Sequence, residues 1–190
     1  ARAFIDYLHV TGGEPLLQHH ALKTLFIEAR DKLGLLISLD TNGTLPQALK
    51  QLVELIDHIA IDVKAPLSNP EKYALATGMS PELGESLVSK VKESILYSTG
   101  IRFLELRTTM VPKLISIGDI VSIGRDLEEL LAGKVKDHPV FVVQQFIPYE
   151  GVQEPFASMS ATPRSIVVKA ASELASETSL FQVYYRTIED

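Results

Sequence analysis

Short apolar segments alternate with longer segments of helical spacing along the chain, and this order constrains the fold more than any other feature. The short segments predict strands over residues 5–10, 35–40, 58–64, 101–111, 140–147 and 181–185. The longer segments predict helices over residues 16–33, 46–56, 82–98, 117–131 and 163–177. A repeated strand–helix order is typical of a parallel sheet with helices between its strands. Residues 68–81, rich in Pro, Gly and Ser, are predicted to be irregular.

Several predicted strands have one apolar face and one face that becomes polar towards the carboxyl end. In one strand, for example, Ile59, Ile61 and Val63 alternate with Asp62 and Lys64, so the two sets face opposite sides. A parallel sheet covered by helices on both faces would instead contain nearly continuous apolar strands. The alternation therefore predicts a curved α/β sheet with helices on its apolar face and a cavity on its polar face. Ligands of such folds bind beyond the carboxyl ends of the strands.

The chain contains no cysteine, and this excludes several kinds of chemistry for the residues present. A disulfide scaffold, a thiolate zinc site, a cysteine nucleophile and a cysteine-ligated iron–sulfur cluster all need thiols. With 18 basic and 24 acidic side chains, the formal net charge of −6 argues against a nucleic-acid partner. No apolar run is long enough to span a membrane and no signal peptide begins the chain. We therefore expect a single cytoplasmic domain over residues 1–190, without a membrane partner.

Two loops at predicted strand ends carry residues suited to ligand contact. The first is the Thr-Gly-Gly-Glu-Pro sequence around Glu14, where paired glycines allow close backbone approach and a carboxylate lies beside a helix start. The same sequence also fits a tight strand-to-helix turn. The second is the Asp-Thr-Asn-Gly sequence that begins at Asp40, a composition that commonly forms turns. Asp40 nevertheless faces the predicted cavity.

Charged residues on two further strands allow two interpretations each. Asp62 and Lys64 place opposite charges on one strand face, as an internal ion pair or as a carboxylate and an ammonium directed at a polar ligand. Arg107 and Thr109 share a strand face with Glu105, which is an obvious ion-pair partner for Arg107.

The sequence around the histidines does not indicate a metal-binding or catalytic role. His19 and His20 are adjacent, so they face different directions on a helix. No acidic residue follows one turn later, so the pair does not indicate a metal site. His9, His58 and His138 are isolated in the sequence and are expected to be structural.

The order and spacing of five short sequences resemble a known family. They are TGGEPLLQ, LDTNGTLP, IDVKAPL, RTTMVP and QQFIPY, and the resemblance extends from about Asp6 to about Tyr149. Together they resemble the radical S-adenosylmethionine (radical SAM) superfamily and, within it, the activating enzymes of glycyl-radical proteins. The activases of anaerobic ribonucleoside-triphosphate reductase and of pyruvate formate-lyase are the types most similar to this sequence. The resemblance implies a partial (β/α)6 TIM-like barrel, in agreement with the curved sheet predicted above.

The resemblance assigns cofactor contacts to residues at the strand ends. They are Gly12, Gly13, Glu14, Asp40, Thr41, Asn42, Asp62, Lys64, Arg107 and Thr109. The Gly-Gly-Glu segment would hold the amino group of SAM, and in some activases Asp40, Thr41 and Asp62 would also hold a monovalent cation. Lys64 would contact the SAM carboxylate region or the substrate loop. The last two residues of the set would lie near the nucleoside.

The family's cluster-binding loop, Cys-x3-Cys-x2-Cys, is absent from this chain. In the family, the thiolates of this loop hold a 4Fe–4S cluster. The reduced cluster cleaves SAM into methionine and a 5′-deoxyadenosyl radical. That radical removes a hydrogen atom from a glycine of a partner enzyme. We expect the chain to begin downstream of this loop, as an N-terminally truncated core domain that lacks the first strand. On that expectation the chain is inactive by itself. The implied partners are a glycyl-radical enzyme and an electron donor such as flavodoxin or ferredoxin.

Two alternatives stay open. A radical SAM enzyme acting on a small molecule, such as a carboxy-deazaguanine synthase, shares the TGGEP sequence. A non-catalytic module that keeps the SAM pocket without a cluster would also fit a chain without cysteine.

Overall fold

A computed structural model describes residues 6–135, 138–149, 154 and 156–188 of the chain. The strands are β1 (Tyr7–Val10), β2 (Leu36–Thr41), β3 (His58–Asp62), β4 (Phe103–Met110), β5 (Val140–Gln145) and β6 (Gln182–Arg186). The α-helices are α1 (His19–Leu33), α2 (Pro46–Lys50), α3 (Pro70–Ala76), α4 (Gly84–Tyr97), α5 (Ile117–Leu131) and α6 (Arg164–Glu177). No helix in the described ranges is both long and apolar enough to cross a membrane.

The six strands form one parallel sheet in the order β1-β2-β3-β4-β5-β6, which is also their order in the sequence. Right-handed connections between strands in sequential order place the helices on one side of the sheet. Along the described residues the sheet is open, with β1 and β6 at its edges. This architecture confirms the prediction of a one-sided, partial (β/α)6 barrel.

The apolar side chains of the strands form the core beneath the helices. The buried strand residues on this side include Ile37, Leu39, Ile59, Ile61, Leu106 and Phe141. Helix α1 packs against β2, and α6 packs against β5 and β6. The alternation of apolar and polar side chains therefore separates the helix-covered face from the opposite one, which we call the inner face.

Local sequence signals determine where several helices begin and end. Helix α1 stops at Gly34, whose φ of 64° is the left-handed conformation that a glycine adopts without steric cost. Helix α5 begins with a capping box in which Ser116 and Asp119 each bond the other's backbone N–H.

Two predictions of secondary structure were wrong. The segment expected to be irregular contains helix α3, because the Asn69 side chain caps its first turn and Pro70 occupies its first position. The helix predicted over residues 46–56 is shorter, since α2 ends at Lys50 and a 3-10 turn covers Val53–Leu55. Ile5, the first residue of the first predicted strand, lies outside the described residues.

Candidate functional site

The strand register arranges the inner-face side chains in rows across the sheet. The first row, nearest the amino ends, contains His9, Ser38, His58 and Phe103. The next row contains Asp40, Ala60, Glu105, Val140 and Gln182. The third row contains Asp62, Arg107, Val142 and Tyr184. Charge is therefore concentrated in the two rows that lie nearer the carboxyl ends of β2, β3 and β4.

The loop after β1 has an open backbone. Gly12 has a φ of 139°, a conformation that L side chains rarely adopt. A Cβ atom at Gly12 or at Gly13 would meet nothing within 4 Å. The two glycines therefore leave space through which a ligand can approach the main chain.

The carboxylate of Glu14 joins this loop to the one after β2. Its Oε1 accepts hydrogen bonds from the Leu16 N–H at 3.1 Å and the Thr41 hydroxyl at 2.8 Å. Its Oε2 accepts one from the Asn42 N–H at 2.8 Å. A carboxylate has about four acceptor positions, so Glu14 retains capacity for one further donor. The two predicted site loops are thus brought together through one side chain.

Arg107 bridges the carboxylates of two other strands. Its Nη1 donates to Asp40 Oδ2 and its Nε donates to Asp62 Oδ1, each at 3.0 Å. Lys64 Nζ donates to the second oxygen of Asp62 at 2.8 Å. Glu105, the partner expected from the sequence, is farther away, with its Oε1 at 4.0 Å from Arg107 Nε. Partial burial lowers the pKa of Arg107, but Asp62 and Asp40 outweigh it and raise the pKa above its usual value.

Glu105 is the most buried acid of the inner face. His58 Nε2 lies 3.8 Å from its Oε2, and Arg186 Nη2 lies 3.6 Å from its Oε1. Burial alone would raise the pKa of Glu105, but His58, Arg186 and Arg107 outweigh it and lower the pKa. The carboxylate is therefore held in its charged form.

We expect Glu105 to make the chain lose stability in acid. Because its pKa is lowered on folding, the carboxylate contributes stability above its ordinary pKa of 4.5, and this contribution is lost as the pH falls from there through the folded pKa. Urea unfolding between about pH 5.5 and about pH 3.5 should therefore show a smaller loss of stability for Glu105→Gln than for the wild type. Glu173→Gln, an exposed control, should follow the wild type. Parallel curves for Glu105→Gln and the wild type would contradict this role of Glu105.

Two histidines that looked isolated in the sequence belong to one hydrogen-bonded chain. His9 Nδ1 and His58 Nδ1 both lie 2.7 Å from Ser38 Oγ. Since the hydroxyl donates only one proton, one histidine accepts from Ser38 and the other donates to it. Strand alternation predicts only that these side chains share a face, because the contact itself depends on the register of β1, β2 and β3. Among the described residues, no group of three or more metal-ligating side chains is present.

Two clefts adjoin these groups. One has a volume of about 600 Å³ and is lined by Gly12, Gly13 and Glu14 together with residues of α1. The other, of about 400 Å³, is lined by Lys64 and Thr109 and by apolar residues that follow β4 and β5. Thr109 donates to Gln144 at 3.4 Å. The structure therefore gathers the predicted residues into a Glu14 group and an Arg107 group, and Thr109 joins the second group only through the cleft that it shares with Lys64.

The polar groups present fit SAM. SAM carries an ammonium group and two ribose hydroxyls that donate, and a carboxylate that accepts. Asp40 Oδ1 is buried and has no hydrogen-bond partner among the described residues, which suits such a donor. Glu14 retains one acceptor position, and Lys64 keeps two of its three ammonium protons for a carboxylate.

The groups fit a monovalent cation less well. One oxygen of each expected carboxylate, Asp40 Oδ2 and Asp62 Oδ1, already accepts from Arg107. The second oxygen of Asp62 accepts from Lys64. The Thr41 hydroxyl, the third expected ligand, donates to Glu14 and accepts from the Gly43 N–H at 3.1 Å.

Comparison with known proteins gives three related findings. The sequence pattern of the radical SAM superfamily matches residues 1–93. A protein of Methanocaldococcus jannaschii assigned as a glycyl-radical enzyme activating enzyme is 34% identical over 159 residues, which cover 82% of this chain and 61% of that protein. The 7-carboxy-7-deazaguanine synthase of Hyperthermus butylicus is 38% identical over 78 residues, which cover 36% of this chain and 33% of the enzyme.

The fold matches a crystal structure of a domain of the pyruvate-formate lyase-activating enzyme from Bacteroides vulgatus. The TM-score is 0.65 at 16% identity, and the match covers 95% of this chain and 98% of that one. The chain spans less than two thirds of the length of the Methanocaldococcus protein.

Proposed function

We propose that this chain belongs to a radical SAM activating enzyme, whose protein binds SAM and generates a glycyl radical on a partner enzyme. The observation that carries the proposal is the bond of Glu14 to Thr41 and Asn42. It joins two of the loops whose sequences carry the family resemblance, beside an open glycine backbone. The sequence identity to a glycyl-radical activating enzyme extends over 82% of the chain and supports the same function.

The chain's own residues would bind and orient the cofactor. Glu14 and Asp40 would accept hydrogen bonds from SAM, and Gly12 and Gly13 would let it reach the main chain. Lys64 would pair with its carboxylate at the cleft where the partner's glycine loop would enter. A reduced 4Fe–4S cluster with bound SAM supplies the radical chemistry in this superfamily. The proposed partners are a glycyl-radical enzyme and an electron donor such as flavodoxin or ferredoxin, in the cytoplasm.

Calorimetric titration of the chain with SAM tests the proposal directly. We expect saturable binding of SAM, and weaker binding of adenosine, which lacks the groups that would meet Glu14 and Lys64. Equal heats for SAM and adenosine, or no saturation with SAM, would contradict the proposed site.

We also expect the chain alone not to assemble a cluster and not to cleave SAM. It has no cysteine, so none of its residues supplies a thiolate to iron. Anaerobic reconstitution with iron and sulfide should leave no cluster absorbance after desalting, and chromatography should detect no 5′-deoxyadenosine after reduction with SAM. Cluster absorbance together with SAM cleavage by this chain would overturn the expectation.

A second candidate is a radical SAM enzyme that acts on a small molecule. Three 7-carboxy-7-deazaguanine synthases are 38–42% identical to segments of this chain, although the segments are only 61–78 residues long. Titration with 7-carboxy-7-deazaguanine separates the two candidates. Saturable binding of that compound in the presence of SAM would favour the small-molecule enzyme over the activating enzyme.

A third candidate is a non-catalytic module that binds SAM without a cluster. It predicts SAM binding by a protein whose full sequence contains no Cys-x3-Cys-x2-Cys loop. Reading the complete gene decides this point, because three cysteines at that spacing would favour an enzyme.

A further inference from the structure

We propose that Arg107 is a built-in counter-ion of the inner face and replaces a free monovalent cation between Asp40 and Asp62. Its guanidinium donates to both carboxylates at 3.0 Å, from Nη1 and from Nε. Its side chain is only 13% exposed, and that of Asp40 only 17%. The proposal concerns the folded chain without ligand and does not depend on SAM binding.

The register explains how one side chain reaches two acids on different strands. Arg107 on β4 lies directly beside Asp62 on β3, whereas Asp40 on β2 is one strand farther away and one row lower. Between them lies Ala60, which is fully buried although its side chain is only a methyl group. The small residue leaves room for the long arginine side chain to cross β3. A larger residue at this position would occupy that path.

Guanidinium chemistry suits this place. Arginine stays charged at every pH at which proteins fold, and its planar fork presents several donors to carboxylates at once. A tethered cation also avoids the loss of translational freedom that a free ion incurs on binding. Arg107 is therefore a permanent partner for both acids, independent of the ions in solution.

The third group expected to bind a cation is committed elsewhere. The Thr41 hydroxyl donates to Glu14 Oε1 at 2.8 Å and accepts from the Gly43 N–H. Thr41 is only 3% exposed and follows Asp40 in β2, so strand alternation places its side chain on the other face of the sheet. A free ion at Asp40 and Asp62 would gain no bond from this hydroxyl.

The charges of the inner face balance without an added ion. Asp40, Asp62 and Glu105 carry three negative charges. Arg107, Lys64 and Arg186 carry three positive charges and each lies within 4.0 Å of one of these acids. An additional alkali cation would leave this group with a net positive charge. Two carboxylates without Arg107, in contrast, would attract one.

The test compares thermal unfolding of the chain in sodium, potassium and choline chloride at equal ionic strength. We expect the unfolding temperature of the wild type to differ by less than about 1 °C among the three salts. Arg107→Met removes the guanidinium but keeps most of the side-chain volume. In choline chloride this variant should unfold at a lower temperature than the wild type. Its unfolding temperature should then rise by about 2–5 °C as sodium or potassium saturates the carboxylates that Arg107 no longer bonds.

Two controls make the result specific. Arg107→Met combined with Asp62→Asn should lose the response to alkali cations, because one of the two carboxylates is gone. Arg125→Met, which removes an exposed ion pair with Glu177, should respond no more than the wild type. A saturable, ion-specific rise in the wild type would overturn the proposal, and so would a folded Arg107→Met without any such rise.

Sodium-23 relaxation of the wild-type chain gives a second measurement that needs no variant. If Arg107 replaces the ion, the chain should cause no excess sodium relaxation that potassium competes away. Competed excess relaxation would show that the wild-type chain binds an alkali cation specifically and would overturn the proposal. This outcome leaves SAM binding untouched, so failure here is distinguishable from failure of the proposed function.

Discussion

Replacing Glu14 with alanine is expected to abolish detectable SAM binding and to lower the free energy of unfolding by about 2–4 kcal/mol. The substitution leaves three donors without their acceptor: the Leu16 N–H, the Thr41 hydroxyl and the Asn42 N–H. Leu16 and Thr41 are buried, so water does not easily replace the lost bonds. Calorimetry with SAM and urea unfolding measure the two effects separately.

Glu14→Gln sharpens this experiment. Both carboxylate oxygens accept a hydrogen bond, so in either orientation the amide NH2 of glutamine would face a donor. We therefore expect this nearly isosteric change to destabilise the chain almost as much as alanine does. Glu28→Ala, which removes an exposed carboxylate paired with Lys32 on α1, should change stability by less than about 0.5 kcal/mol. Full SAM affinity in Glu14→Ala would contradict the site assignment.

Gly84→Ala is expected to destabilise the chain by about 2–3 kcal/mol, although glycine-to-alanine changes usually stabilise helices. Gly84 is the first residue of α4, and a Cβ atom there would lie 2.2 Å from the carbonyl oxygen of Pro70 in α3. That contact is with main chain, so α3 and α4 must move apart. Thermal or urea unfolding measures the loss.

Gly118→Ala is the matched control for this prediction. Gly118 also lies in the first turn of a helix, α5, but its Cβ would meet only Ser116 Oγ at an ordinary 3.8 Å. We expect this variant to gain about 0.5–1 kcal/mol from its higher helix propensity. Equal changes in the free energy of unfolding for the two substitutions would show that the close approach of α3 is not what requires glycine at position 84.

The segments and faces of the sheet were predictable because they depend on residues near each other in the chain. Alternation within single strands placed Asp62 and Lys64 together, and Glu105 and Arg107 together, on one face. Helix α3 was not predicted because the Pro, Gly and Ser content of its segment is typical of irregular structure, although Asn69 and Pro70 also suit a helix start.

Contacts between strands were not predictable from alternation alone. The bond of Arg107 to Asp40 spans 67 positions in the sequence and depends on the register of three strands. The link of His9 to His58 through Ser38 has the same origin. A single sequence shows which side chains share a face, but the relative heights of neighbouring strands decide which of them meet.

The sequential strand order also has a consequence for how this architecture can grow. Within the part of the sequence that the structure describes, each strand pairs only with the strands next to it in the chain, and β1 and β6 have one such neighbour each. A further strand–helix unit can therefore be added beside β1 or beside β6 without changing the existing connections or the register of any strand pair. In the same order, each strand pairs with one that has already been synthesised, so the sheet can be extended strand by strand as the polypeptide leaves the ribosome. The charged rows lie on the central strands β2, β3 and β4, so strands added at the sheet edges would leave them unchanged.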